Sequence, residues 1–317
     1  MTQAHFLDRY DMIELTYCDK VECFLRFKAF LCCLCLLAVF LPGCTQDAPC
    51  QVAATTLPVY QFTSAICEGT GIEVTQLITQ QVSCLHDYSL NVSQVRTLEA
   101  AEVVVISGGG LEEFMEDSLQ QANCVIDSSQ DIPLIECEEH HHEEHAEEEH
   151  RHDQDAHIWL SPENARIMAS NIAQGLAQVY PQHAQRFAYN LSSLDQQLDE
   201  LEQYGQHRLA DLSCRELITF HDGFGYFAEA FDLHILEAIE EESGSEASAK
   251  ELKDMITLVR EHGLPAVFTE VSGSVSAADI IAAETGTKVF SLDMAMSGND
   301  YFEAMYRNID TIREAMK

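Results

Sequence analysis

From residue 52 onward the chain alternates short β-branched or apolar runs with segments of helical periodicity, in two series separated by a long helical tract. Parallel sheets with helical crossovers satisfy such alternation, because each β-run must reach its neighbour by way of a helix. The first series predicts strands at Val52–Thr56, Ile72–Ile78, Glu102–Ser107 and Cys124–Asp127, with helices near Val59–Ile66, Asn91–Ala100 and Leu111–Gln120. The second predicts strands at Glu216–Thr219, His234–Ile239, Ala266–Thr269 and Lys288–Leu292, and helices at Gly223–Phe231, Ala247–Glu261, Ala277–Glu284 and Asp300–Met316. The class is therefore α/β, as two copies of one four-unit architecture.

The tract between the series has its own signals. Ser161-Pro162 combines an N-cap hydroxyl with proline at the first helical position, where a missing N–H costs nothing. A second helix is expected from Pro181 to about Leu212, with Phe187, Leu191, Leu194, Leu198 and Leu201 at three- and four-residue spacing. At 1.5 Å per residue it would be roughly 45 Å long, enough to run along both lobes and limit their swing.

The N-terminal residues read as an address. Arg26 and Lys28 precede an almost uncharged run from Ala29 to Leu41, too short to span a bilayer. This is a signal-peptide pattern, and it ends in Leu41-Pro42-Gly43-Cys44, similar to a lipobox in which Cys44 becomes lipidated. The expected organisation is a leader over 1–43 that includes a spurious upstream start, and a lipidated tether over 44–51. An N-terminal lobe over 52–160, linking helices over 161–212 and a C-terminal lobe over 213–317 follow. Cys50, Cys67, Cys84, Cys124, Cys137 and Cys214 would then sit in an oxidising compartment, where one or two disulfides are expected. No C-x-x-C pair occurs among the six, which argues against a zinc ribbon.

Charge and motifs exclude several functions. A net charge of −36, from 53 acidic and 17 basic side chains, repels phosphate backbones, so nucleic acid is a poor partner and cations are good ones. There is no H-E-x-x-H and no G-x-S-x-G, which removes the commonest metallohydrolase and serine-hydrolase signatures. Gly108-Gly109-Gly110 follows a strand but lacks G-K-[ST] and precedes Glu112 and Glu113, so it reads as a turn rather than a phosphate loop.

The histidines carry the chemistry, and they fall into two groups. Between Glu136 and His152, six histidines (His140, His141, His142, His145, His150, His152) mix with eight glutamates, a segment too polar to bury a face and suited to weak, multiple metal contacts. The second group is dispersed: His86 in Cys84-Leu85-His86-Asp87-Tyr88, His157 in Asp155-Ala156-His157-Ile158-Trp159, and His221 in Thr219-Phe220-His221-Asp222-Gly223-Phe224-Gly225-Tyr226-Phe227. His221 and Asp293 each follow a predicted strand, where ligands collect in open α/β sheets.

In order and context these segments resemble the metal-binding solute receptors of zinc and manganese ABC transporters, over Val52 to Lys317. The resemblance implies a (β/α)4 lobe on each side of a rigid backbone helix, with the metal in the cleft between them. It implies His86 and His157 as ligands from the N-terminal lobe and His221 and Asp293 from the C-terminal lobe, with the acidic His-rich insertion similar to the loop of the zinc branch. Three imidazoles with one carboxylate favour Zn2+ over manganese, and four protein ligands close the site against an activated water. Because imidazole must be neutral to ligate, affinity should fall as pH drops through about 6. Glu270, at the end of a strand, is expected to orient one histidine from behind. The implied partners are an ABC permease and its ATPase, with a monomeric receptor held by lipid on the extracytoplasmic face and no enzymatic role. The alternatives are a manganese receptor of the same family, or a surface adhesin or metal-buffering lipoprotein.

Overall fold

The computed structural model describes residues 51–80, 85, 88–136, 154–238, 247–271 and 273–317. Cys44, His86 and the six loop histidines lie outside them. In the N-terminal half, β1 (Val52–Ala54), β2 (Val74–Gln76), β3 (Val103–Ile106) and β4 (Val125–Asp127) form a parallel sheet in the order β2-β1-β3-β4. In the C-terminal half, β5 (Glu216–Thr219), β6 (His234–Ala238), β7 (Ala266–Glu270) and β8 (Lys288–Leu292) form a second in the order β6-β5-β7-β8. The two orders are the same topology repeated. Each sheet starts at a central strand, steps to one edge, and returns across the start, so both halves have their β–α loops on one side.

The central strands are apolar because both faces are covered. Val103, Val104 and Val105 are wholly buried, as are Val52, Ala53 and Ala54 beside them. Helix α1 (Leu57–Cys67) starts directly after β1 with Pro58 in its first turn, and buries Val59, Phe62 and Ile66. Helix α2 (Val92–Ala100) opens with a capping box, in which Asn91 and Gln94 each bond the other's backbone N–H.

One expected helix is largely absent. Instead of a continuous helix from Leu111 to Gln120, there is a 3-10 turn at Glu113–Met115 and one α-turn, α3 (Glu116–Leu119). Glu112 explains the break. Its carboxylate turns inward to accept from Thr55 Oγ1 at 2.6 Å, Ser107 N–H at 2.7 Å and Gly108 N–H at 3.0 Å, stapling the ends of β1 and β3. Gly108, Gly109 and Gly110 all have positive φ, the conformation that lets the chain double back to make those bonds. Burial, partly offset by the three hydrogen bonds, raises the Glu112 carboxyl to a pKa of about 7.

Helix α4 (Pro162–Val179) begins as expected at a Ser161 cap. The long helix is shorter than expected: Pro181–His183 forms a 3-10 turn, and α5 runs only over Ala184–Arg208. At 1.5 Å per residue that is about 37 Å. It buries Phe187, Asn190, Leu194, Leu198, Leu201 and Gly205, a stripe that faces helices of both halves. Gly205 is required by close approach, since a Cβ there would sit 2.1 Å from the Phe231 ring. The remaining helices are α6 (Gly225–Ala230), α7 (Ala249–His262), α8 (Ser276–Thr285) and α9 (Tyr301–Met316).

One apolar core runs through both halves, from Val52 to Met316, and a smaller one lies under α7 and α8. The halves are also joined by buried hydrogen bonds: Trp159 Nε1–H donates to Met294 O at 2.8 Å, and Tyr301 Oη–H to Trp159 O at 2.7 Å. Cys67, Cys124 and Cys214 are free thiols, so the expected disulfides do not involve them. Among the described residues no helix is long and apolar enough to cross a membrane.

Candidate metal centre

His157 and His221, 64 residues apart, meet between the two halves. His157 ends the link from residue 154 and enters the 3-10 turn Ile158–Leu160, while His221 follows β5, and both are almost fully buried. Their rings stand edge to face, 5.0 Å between centroids at 87°, with Nε2 atoms 3.3 Å apart. Gly223 makes this approach feasible, because a Cβ there would lie 2.6 Å from His221 Cδ2 and 2.8 Å from His157 Cε1.

Behind each ring stands a buried carboxylate. Asp155 Oδ1 is 2.8 Å from His157 Nδ1 and also accepts the His157 backbone N–H at 2.8 Å. Glu270 Oε1 lies 2.9 Å from His221 Nδ1 as an ion-pair contact, although no described donor is aligned to hydrogen-bond it. A carboxylate at Nδ1 keeps the ring proton there, which turns the Nε2 lone pair toward whatever occupies the other side. Here both Nε2 atoms meet across one gap.

That gap has the size of a zinc chelate. Two nitrogens bound to one ion at about 2.0–2.1 Å with a tetrahedral angle are separated by about 3.3–3.4 Å, and the observed separation is 3.3 Å. Among the described residues neither Asp155 nor Glu270 is paired with a lysine or arginine, only with these histidines, and a divalent cation between the rings would add positive charge beside two buried carboxylates.

Asp293 is placed differently. Its backbone is locked by Asn308, which accepts from Asp293 N–H at 2.8 Å and donates to Asp293 O. Its carboxylate accepts from Ala295 N–H at 2.9 Å and faces Arg307 at 3.7 Å. Among the described residues no three His, Cys, Asp or Glu side chains gather round a common point. The His157–His221 pair is what the structure brings together, with Glu270 beside it. Asp155 was not singled out as a functional residue in the sequence, although an aspartate two residues before a histidine was the available signal.

Over most of its length the chain is similar to known proteins. The profile of the family described as zinc-uptake complex component A, periplasmic (ZnuA), matches residues 52–315. The chain is 27% identical over 286 residues to the zinc-binding protein AdcA of Streptococcus pyogenes, covering 83% of this chain and 55% of that protein. It thus spans about half the length of that relative. It is 28% identical over 280 residues to the high-affinity zinc uptake system protein ZnuA of Bacillus subtilis, covering 84% of this chain and 87% of the other. Among solved structures, a crystal structure of ZnuA is similar at a TM-score of 0.71 and 30% identity, covering 84% of this chain and 98% of that one. A laminin-binding adhesin (Lmb) from Streptococcus agalactiae shares the fold, with a TM-score of 0.72 at 22% identity, over 84% of this chain and 99% of the other. On the extent of the profile match, the chain belongs to the ZnuA family.

Proposed function

We propose that the protein is an extracytoplasmic receptor that captures Zn2+ and hands it to an ABC permease and its ATPase. The observation that carries this reading is the pair of buried imidazoles, one from each half, whose Nε2 atoms stand at the spacing of two ligands on one tetrahedral ion. His86 and Asp293 complete the set as third and fourth ligands, Asp293 exchanging its contact with Arg307 for one with the metal. A site with four protein ligands holds an ion without activating water, which suits carriage rather than catalysis. The names of the relatives point to the same cargo, as zinc-binding and zinc-uptake proteins.

The 136–152 segment is an auxiliary collector in this scheme, and a lipid on Cys44 holds the monomer to the membrane. His221→Ala is expected to abolish tight zinc binding in calorimetric titration, whereas deleting residues 138–152 is expected to leave it nearly intact. Equal losses in the two variants would overturn the assignment. Cys44→Ala is expected to release the protein from the membrane fraction, and retention there would refute the anchor.

A further inference from the structure

We propose that Tyr226 is a positioning residue for the metal centre, its hydroxyl fastening the segment that carries Asp155 to helix α6 and so holding the His157 ring in register with His221. The inference rests on the reading of His157 and His221 as ligands. Tyr226 is buried, and its Oη donates to Asp155 O at 3.0 Å while accepting from Ile135 N–H at 2.9 Å. Those two residues are themselves joined, Asp155 N–H donating to Ile135 O at 2.9 Å, and a bridge between Glu136 and Gln154 follows immediately. One phenolic oxygen therefore ties both Ile135 and Asp155 to helix α6 in the opposite half of the protein.

The segment from residue 154 leads directly into the site. Asp155 supplies the carboxylate behind His157, and His157 is two residues further on. Tyr226 stands five residues after His221, on the helix that His221 precedes. The two halves of the chelate are thus linked by a route other than the metal: His221, α6, the Tyr226 hydroxyl, the Asp155 backbone, and the Asp155 carboxylate on His157. Packing along this route is tight, since a Cβ on Gly225 would lie 3.0 Å from Asp155 Oδ2 and 3.3 Å from Ile135 Cδ1. Removing the hydroxyl leaves Ile135 N–H and Asp155 O without this partner, and the carboxylate is then free to drift with its segment.

The test is a double-mutant cycle on zinc affinity, measured by competition with a chromogenic chelator, in wild type, Tyr226→Phe, Asp155→Asn and the double variant. Loss of a carboxylate in direct contact with a ligating histidine weakens metal binding about 10- to 100-fold, so a partner one step further back is expected to cost about 3- to 10-fold. In the Asp155→Asn background the same change is expected to cost less than about 2-fold, because the carboxylate charge that Tyr226 holds in place behind His157 is already gone. Gly225→Ala, which presses a methyl on Asp155 Oδ2 while leaving the phenol in place, is expected to weaken binding in the same sense. Wild-type affinity in Tyr226→Phe and Gly225→Ala, or factors that multiply in full in the double variant, would overturn the inference. His157→Ala separates the two levels: if it binds zinc normally, the ligand assignment itself has failed.

Discussion

Asp155→Asn is the perturbation that isolates electrostatic support of the site from its shape. Asn is nearly isosteric, and its amide oxygen can still accept from the His157 backbone N–H, as Asp155 Oδ1 does at 2.8 Å. What is lost is the negative charge 2.8 Å from Nδ1, which fixes the ring proton and strengthens the Nε2 lone pair as a donor to metal. Asp155 is buried, so water does little to screen that charge. Partners of this kind contribute about 10- to 100-fold in metal affinity, or about 1.4–2.8 kcal/mol at tenfold per 1.4 kcal/mol. The zinc dissociation constant of Asp155→Asn is therefore expected to rise by that factor in chelator competition, while far-ultraviolet circular dichroism stays that of the wild type. Affinity within twofold of the wild type would refute the claim that the carboxylates behind the imidazoles hold and tune them.

Two further outcomes are expected. Glu112 has a folded-state pKa of about 7, above its ordinary 4.5, so its contribution to stability is fully present below about pH 4.5 and is lost as pH rises to about 7. Melting of zinc-free protein between those limits should show wild type losing stability relative to Glu112→Gln by on the order of 3 kcal/mol, and parallel curves would refute it. Gly205→Ala drives a methyl to within 2.1 Å of the Phe231 ring, so despite a better helix former it should destabilise by about 1–2 kcal/mol in urea unfolding, overpacking outweighing propensity, and a more stable variant would contradict that packing.

What the sequence revealed follows from which signals are local. The strands were readable because central strands of covered parallel sheets are near-continuous apolar runs, as Val103–Ile106 and Ala266–Phe268 are. The helix expected over Leu111–Gln120 failed because Glu112 looks like a solvated helical glutamate in sequence, whereas three donors from β1 and β3 draw it inside. The long helix ends at Arg208 rather than Leu212, and the turn beyond it is held by Arg215, which donates to Leu209 O and Ala210 O across several residues. In the site, His157 and His221 stood out by their places at element junctions, but nothing local announced that their rings meet. Tyr226 and Trp159 gave no sign at all, since each reads as an ordinary core aromatic and acts through a backbone group 71 or 135 residues away.

The most direct test of the account is the X-ray absorption fine structure of zinc bound to the purified protein at one equivalent, in wild type and in His157→Ala and His221→Ala. The account expects a first shell of four nitrogen and oxygen neighbours at about 2.0–2.2 Å with imidazole scattering beyond it, and each alanine variant reducing that imidazole signal. A wild-type spectrum without imidazole scattering, or one that neither substitution changes, would contradict it.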